Sequence, residues 1–167
     1  MTRTMPAYRI VEWERPPRLV EAPVPEPGPG EVLVAVAANG LCHSDLDMAR
    51  IPAEIGELIG WRVPFTLGHE TAGHVAGRGA GVTGVSEGDA VALVSPTSCG
   101  ECPACRQGHD SVCPHGLAGR GYGRDGGLAT YVVAPAPRAV VPLGDLDPVV
   151  AGPLTDAGAT SHHAVAR

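Results

Sequence analysis

The sequence predicts a mainly β domain with short helices, built as a barrel or sandwich of short strands. Val-rich runs, such as 31–38 and 90–94, alternate with clusters of Gly and Pro, which total 23 and 17 residues. A chain of 167 residues suits one domain. Apolar residues make up 44% and aromatic residues only 4%, so we expect one core of Val, Ala and Leu.

The individual elements follow from local patterns along the chain. Strands are expected at 7–13, 31–38, 73–76, 90–94 and 128–135. The Pro-rich connector 22–32 cannot be helical. A short helix is expected after Ser44, a surface loop over 53–66, and a helix from about Pro148 to Arg167 with Thr155 or Asp156 near its beginning.

Charge and hydropathy exclude several classes of function. The formal net charge is −6 without a basic stripe, which argues against a nucleic-acid partner. No apolar run reaches about 18 residues, so no membrane span is expected. The first residues lack the apolar segment of a secretion signal, and a cytoplasmic location is expected by default.

Four cysteines form a closely spaced motif, C-x2-C-x2-C-x7-C: Cys99, Cys102, Cys105 and Cys113. Two-residue gaps let neighbouring thiolates face one tetrahedral zinc ion at Zn–S distances of about 2.3 Å. Four thiolates leave no position for substrate, so the motif predicts a structural zinc site. Two disulfides are the alternative that a reducing cytosol disfavours, and an iron–sulfur cluster is a further one.

The fifth cysteine suggests a second metal site. Cys42 and His69 offer a thiolate and an imidazole, which suit zinc. A catalytic zinc keeps three protein ligands and one open position, and the acids on offer for the third ligand are Glu70 and Asp156. A lone Cys is most often a core residue, so these residues alone leave the question open.

The motifs occur in a distinctive order along the chain. G-L-C-H-S-D at 40–45 is followed by G-H-E-T-A-G at 68–73, G-D-A-V-A-L-V, the four-cysteine motif and D-G-G-L-A-T-Y-V-V-A-P. In this order they resemble the medium-chain zinc-dependent alcohol dehydrogenases over nearly all of 5–167. The resemblance implies a GroES-like partly open β-barrel with an irregular structural-zinc loop over 1–150. It further implies that 151–167 begins the linker helix to a Rossmann domain outside this chain.

The resemblance implies a ligand set for the second site. Cys42 and His69 match catalytic zinc ligands, and Asp156 falls in G-P-L-T-D at the position of the third ligand. Many members have Cys there, and some bacterial secondary-alcohol dehydrogenases have Asp. Glu70 matches an acid that can approach the metal during ligand exchange, so the identity of the resting third ligand stays open between Asp156 and Glu70.

Further roles follow from the same resemblance. Ser44 matches the hydroxyl that takes part in proton transfer from the zinc-bound alcohol, and Asp45 matches an acid that orients the ring of His69. His43 lies where members have Arg or His near the cofactor phosphates. Asp47 is the only polar candidate where some members end the proton relay in a histidine, so the path of the proton to solvent stays open.

The implied function is oxidation of a small-molecule alcohol to an aldehyde or ketone, or the reverse, through a zinc alkoxide and hydride transfer to NAD(P). Two zinc ions are implied, one catalytic and one structural, with NAD(P) only if a Rossmann domain is supplied. We therefore expect this chain alone to be inactive, and a separate cofactor domain or a homo-oligomer as partner. The alternatives are a zinc-binding remnant without turnover, which shares every residue, and an interaction module, against which the Cys/His/acid ligand set counts.

Two stretches match G-x-G-x-x-G, at 79–84 and 121–126. A dinucleotide-binding loop needs a helix to begin at the motif. A predicted strand follows each stretch instead, so both are predicted to be turns.

Overall fold

Strands dominate the structure, a computed structural model that describes residues 3–166. The described strands are β1 (Thr4–Ile10), β2 (Arg18–Pro23), β3 (Glu31–Gly40), β4 (Phe65–Thr66), β5 (Glu70–Arg78), β6 (Ala90–Leu93), β7 (Gly119–Arg120), β8 (Gly123–Arg124), β9 (Tyr131–Pro135) and β10 (Val140–Pro142). The described α-helices are α1 (His43–Met48), α2 (Ala53–Leu58), α3 (Pro103–Arg106), α4 (Ala136–Ala139), α5 (Pro148–Ala151) and α6 (Ala157–Val165). None of these helices combines the length and apolar character needed for a membrane crossing.

A five-stranded antiparallel sheet of order β10-β6-β5-β3-β9 forms the main body. Its longest strand, β3, pairs with β5 from Val32 to Gly40, with register shifts after Leu33 and Val36. Such bulges add local twist and bend the strand, and the sheet curls as a result. The predicted mainly β fold, a curled half-barrel, is confirmed.

A second sheet of order β2-β1-β4 lies against the edge of the first. Strand β1 joins the two sheets, because Ala7 bridges to Ala129 and the Tyr8 N–H donates to the Leu128 carbonyl at 2.8 Å. The Leu67 N–H in turn donates to the Tyr8 carbonyl at 3.0 Å. Strand β1 therefore fixes the segment that leads into His69.

The curled sheet encloses a core of aliphatic side chains, as the composition predicted. Its most buried members are at most 2% exposed: Val32, Val34, Val75, Val91, Leu93, Val132 and Ala134. In β3 the buried residues Val32 and Val34 alternate with half-buried ones, the period expected of a strand with one face on a core. Each fully buried Val or Leu contributes roughly 1.5–3 kcal/mol of transfer free energy before entropy losses.

A second core, which the composition did not predict, is built around aromatic rings. It groups Trp61 and Phe65, whose ring centroids lie 5.5 Å apart in an edge-to-face arrangement, with Ile10, Met48 and Leu67. Met48 belongs to α1, while Phe65 and Leu67 immediately precede His69. This cluster therefore holds together the two chain segments that carry Cys42 and His69.

The prediction of a surface loop over 53–66 is wrong at both ends, because Ala53–Leu58 forms α2 and the buried pair Phe65–Thr66 forms β4. Pro52 precedes the helix, and Gly56 packs where a Cβ atom would lie 2.2 Å from the Trp13 ring. Strand β2 was also missed, because Arg18–Pro23 reads as part of a Pro-rich stretch. It becomes a strand by pairing with β1 over its whole length, a long-range partner that local patterns do not reveal.

The predicted helix from about Pro148 to Arg167 is broken in the structure. It consists of α5, a 3-10 turn over Gly152–Thr155 and α6, while Arg167 lies outside the described residues. Asp156 is the break, with φ −130° and ψ −76°, and α6 begins directly after it. The Asp156 side chain makes no capping hydrogen bond to α6 and is therefore free to face elsewhere.

Neither glycine-rich stretch leads into a helix. The segment 79–84 is a turn in which Gly81 and Gly84 have positive φ, and strand β6 follows it. The segment 121–126 contains β8 and is followed by β9. A dinucleotide-binding loop requires a helix to begin at the motif, and none begins at either stretch.

Candidate metal centres

The four cysteine sulfurs converge in the loop between β6 and β7. The Sγ atoms of Cys99 and Cys105 lie 4.0 Å apart and those of Cys99 and Cys113 lie 3.7 Å apart; all four, including that of Cys102, lie within 4.8 Å of one another. Four sulfurs at about 2.3 Å from a tetrahedral zinc ion stand about 3.8 Å apart. A disulfide needs about 2.0 Å. The spacing fits a zinc ion bound by four thiolates.

Backbone N–H groups inside the loop point at the sulfurs. Those of Cys99, Cys102 and Cys105 donate to the sulfurs of Cys113, Cys99 and Cys102 at 3.4, 3.4 and 3.5 Å. The backbone N–H groups of Glu101 and Cys102 lower the pKa of the Cys99 thiol to about 6. Burial raises the pKa of the Cys105 thiol to about 12. A thiolate at Cys105 thus needs a cation beside it, which a bound metal provides.

A second group of ligand atoms comes from three distant parts of the chain. Cys42 is the residue before α1, His69 precedes β5, and Asp156 is the break before α6. Their ligand atoms lie within 4.8 Å of one another, and His69 Nε2 lies 3.2 Å from Asp156 Oδ2. Neighbouring nitrogen and oxygen ligands of a tetrahedral zinc ion stand about 3.3 Å apart. These three residues therefore fit a zinc ion with one open position.

Asp45 lies behind the His69 ring. Its Oδ1 is 3.5 Å from His69 Nδ1; both atoms are buried, and neither makes a hydrogen bond among the described residues. Its Oδ2 accepts a hydrogen bond from the Cys42 N–H at 3.1 Å. Burial raises the pKa of the Asp45 carboxyl, and the neighbouring His69 ring lowers it in part. Asp45 thus contacts the backbone of Cys42 and faces Nδ1 of His69, while Asp156 faces Nε2 of the same ring.

Ser44 and Glu70 lie beside the three ligand candidates. The Ser44 hydroxyl oxygen is 3.4 Å from His69 Nε2. Glu70 is buried, and its Oε1 accepts a hydrogen bond from the Ala157 N–H at 3.2 Å. The group of ligand atoms contains Asp156 and not Glu70. The geometry therefore favours Asp156 as third ligand and gives Glu70 a contact to the start of α6.

His43 faces solvent beside the second site. Its side chain is 86% exposed, and its nearest charged neighbour is Asp47, whose Oδ2 lies 3.9 Å from His43 Nε2. Asp47 also pairs with Arg50 at 3.5 Å. The structure thus places His43 on the rim of the site, on the first turn of α1, without contact to the ligand atoms.

Tyr122 is a site residue that sequence reasoning missed. Its ring meets the His69 ring edge-on, with centroids 6.1 Å apart. Its hydroxyl donates to the Ser95 carbonyl at 3.2 Å and accepts from the Thr97 N–H at 3.1 Å. Tyr122 therefore connects the second metal centre to the segment that leads into the four-cysteine loop. No local signal reveals this, since Tyr122 lies within a glycine-rich stretch.

Comparison with known proteins decides the family. The model for the alcohol dehydrogenase GroES-like domain matches residues 28–145. The chain belongs to this family. It is 38% identical to the NAD-dependent alcohol dehydrogenase of Sulfurisphaera tokodaii, an alignment that covers 96% of this chain and 47% of that protein.

Solved structures of the alcohol dehydrogenase family share the fold. The alcohol dehydrogenase from Aeropyrum pernix has a TM-score of 0.85 and 35% identity, covering 96% of this chain and 47% of that one. The cobalt- and zinc-bound alcohol dehydrogenase from Pyrobaculum aerophilum has a TM-score of 0.78 and 34% identity, covering 92% of this chain and 45% of that one. The predicted family and GroES-like fold are confirmed, and the chain spans about half the length of the relatives it matches.

Proposed function

We propose that the chain is the zinc-binding catalytic domain of an NAD(P)-dependent alcohol dehydrogenase that interconverts a small-molecule alcohol and its aldehyde or ketone. The observation that carries the proposal is the convergence of the ligand atoms of Cys42, His69 and Asp156 within 4.8 Å. Three protein ligands leave a fourth position for substrate, whereas the four-cysteine site has none. The site of Cys42, His69 and Asp156 is therefore proposed to be catalytic and the four-cysteine site structural.

Zinc fits the donor set of the proposed catalytic site. A thiolate from Cys42 and a carboxylate from Asp156 carry two negative charges, which balance Zn²⁺, and His69 adds a neutral nitrogen. A zinc ion bound there acts as a Lewis acid on an alcohol or carbonyl oxygen.

Ser44 is proposed to accept the proton of the substrate, and Asp45 is proposed to orient the His69 ring. The Ser44 hydroxyl, 3.4 Å from His69 Nε2, is close enough to the ligand atoms to accept the proton of a substrate hydroxyl. Asp45 is proposed to keep the proton of His69 on Nδ1, so that Nε2 has a free lone pair. Glu70 is proposed to exchange with Asp156 transiently, for which it must give up its bond to the Ala157 N–H.

The cofactor half of the site is proposed to come from a nucleotide-binding Rossmann domain outside residues 1–167. The relatives are about twice as long as this chain, and we propose 1–150 as the catalytic domain and 151–167 as the start of the linker. His43 on the rim would then reach a cofactor phosphate. Apolar side chains at the end of the chain are more than half exposed, which suits contact with a second domain or copy: Val149, Val150, Leu154 and Val165.

A zinc-binding protein without turnover is the second candidate. It is favoured by the four-cysteine cluster, which fits a bound zinc ion but leaves no open position for a substrate. Both candidates share every ligand, and they differ only in whether a bound alcohol is oxidised once NAD(P) is held nearby. An activity assay with a nucleotide-binding domain supplied in fusion distinguishes them.

The decisive first experiment is the zinc content of the purified chain and of Cys42→Ser, with Cys102→Ser as the matched control for the other site. We expect two zinc ions in the wild type and one in each variant, with the remaining ion at a different site in the two variants. One zinc in both the wild type and Cys42→Ser would contradict the catalytic assignment and leave only the structural site.

A further inference from the structure

The cysteine loop, residues 98–116, makes no backbone-to-backbone hydrogen bond to any other part of the described residues 3–166. Its backbone hydrogen bonds all close within the loop, as in the bonds from Arg106 to Cys102 and from Gly116 to Cys113. It contributes no residue to a paired strand. Among residues 3–166, side-chain contacts must therefore determine how firmly the loop is held on the barrel.

One side chain of the barrel makes all the polar contacts that are described between the barrel and this loop. The Arg138 guanidinium forms an ion pair with Asp110 and donates to the Cys105 carbonyl at 3.4 Å. It also passes over Gly100, where a Cβ atom would lie 2.7 Å from its Nε. The three contacts fall on three separate parts of the loop, and two of them adjoin cysteine ligands.

Arg138 is well placed to act as a fixed point. It lies on α4, between β9 and β10, next to the buried Ala139. The Ala139 carbonyl accepts a hydrogen bond from the Val94 N–H at 2.7 Å, which ties α4 to the end of β6. The Arg138 and Asp110 side chains are 37% and 36% exposed, so their ion pair adds little to global stability. Its effect is expected on the loop alone.

We propose that Arg138 is a positioning residue that anchors the cysteine loop on the barrel and slows the loss of its zinc ion. Zinc with four thiolates carries a net charge of −2, and a guanidinium bonded to the Cys105 carbonyl opposes that charge. Loss of the anchor lets the loop open and exposes the sulfurs to water and chelators. The inference rests on the metal assignment of the four-cysteine cluster and is independent of catalytic turnover.

The test is the rate of zinc release from the zinc-loaded 167-residue chain to a chelating dye, for the wild type and Arg138→Ala. We expect release from the cysteine loop to be roughly three- to tenfold faster in Arg138→Ala, and release from the site of Cys42 to be unchanged. Mass-spectrometric mapping of alkylated cysteines assigns each phase to its site. Arg106→Ala is the matched control, since it removes an exposed positive charge from the same loop.

Further variants separate an anchor from a general defect. Arg138→Lys keeps the charge but not the forked donor, and we expect an intermediate rate. Asp110→Asn breaks the pair from the loop side and covers the case in which Arg138→Ala fails to fold. The exchanged pair Arg138→Asp with Asp110→Arg should slow release again relative to Arg138→Asp alone.

Two results would overturn the anchor role while leaving the metal assignment intact. One is a wild-type rate of zinc release from the cysteine loop in both Arg138→Ala and Asp110→Asn. The other is an equal increase of that rate in Arg106→Ala. A wild-type chain without zinc on the four cysteines would contradict the metal assignment itself, and the anchor proposal with it.

Discussion

At the scale of single residues, the proposed catalytic centre depends on two carboxylates with different neighbours. Asp156 sits at a helix break with its Oδ2 3.2 Å from His69 Nε2. Asp45 is buried and faces the other ring nitrogen at 3.5 Å. One carboxylate is thus placed to bind metal and the other to orient the ring that binds it.

Asp156→Ala is expected to remove zinc from the proposed catalytic site and leave the four-cysteine site filled. Loss of one of three ligands also removes the charge that balances Zn²⁺. Asp156→Cys restores a ligand and should retain the ion. Zinc content after gel filtration measures both outcomes, and retention of both ions in Asp156→Ala would rule out Asp156 as a ligand.

Asp45→Asn is expected to lower the zinc affinity of the same site by about 10- to 100-fold. Asn retains an oxygen for the Cys42 N–H but loses the charge that faces His69. Asp47→Asn is the matched control, because Asp47 is an exposed acid on the same helix and contacts only His43 and Arg50 among the described ion pairs. Competition with a chelator of known affinity measures the difference, and equal affinities for the two variants would refute the orienting role.

At the scale of elements, the close approach of β3 and β5 positions His69. Gly73 in β5 lies against β3, where a Cβ atom would come within 2.0 Å of the Ala35 carbonyl oxygen. At Gly77, four residues further along β5, an added Cβ atom would lie no closer than 3.8 Å to its nearest neighbour, the Cβ atom of Leu33. The same strand therefore offers a tightly packed glycine and a freely substitutable one.

Gly73→Ala is expected to destabilise the chain by about 1–3 kcal/mol, because the methyl group forces β3 and β5 apart. Gly77→Ala should stay within about 0.5 kcal/mol of the wild type. Urea unfolding, with the midpoint compared at unchanged slope, gives both values. A wild-type midpoint for Gly73→Ala would show that the two strands are less closely packed than described.

At the scale of the whole molecule, the cysteine loop and the tail lie outside the strand pairing of the sheets. The cysteine loop lacks backbone bonds to the barrel, and the tail reaches the barrel beside His69 and Glu70. Zinc ions bound at the two sites would cross-link the cysteine loop internally and hold the tail against the barrel through Asp156. Metal binding should accordingly contribute to the folding free energy.

Zinc removal is expected to lower the thermal midpoint of the chain. Free zinc at 1,000 times its dissociation constant stabilises a site by about 4 kcal/mol, which corresponds to roughly 8–16 °C for a domain of this size. Differential scanning calorimetry before and after chelation measures the shift, and added zinc should reverse it. An unchanged midpoint would contradict a structural role for the metal.

The sequence by itself indicated a metal at the four-cysteine cluster and predicted most strands of the five-stranded sheet. Cysteine spacing within one loop is local, so Cys99–Cys113 needed no fold to indicate a metal, and the Val-rich runs gave β3, β6 and β9 for the same reason. Only the family resemblance could group Cys42, His69 and Asp156, because residues so far apart along the chain need not be close in space.

Only the tertiary structure decided which distant groups meet. It made Arg18–Pro23 a strand by supplying β1 as partner, turned Ala53–Leu58 into a helix against Trp13, and broke the tail at Asp156. It also placed Tyr122 against His69 and Arg138 against the cysteine loop. These contacts depend on side chains far apart in the sequence, whose proximity arises from packing and from hydrogen bonds that no local pattern records.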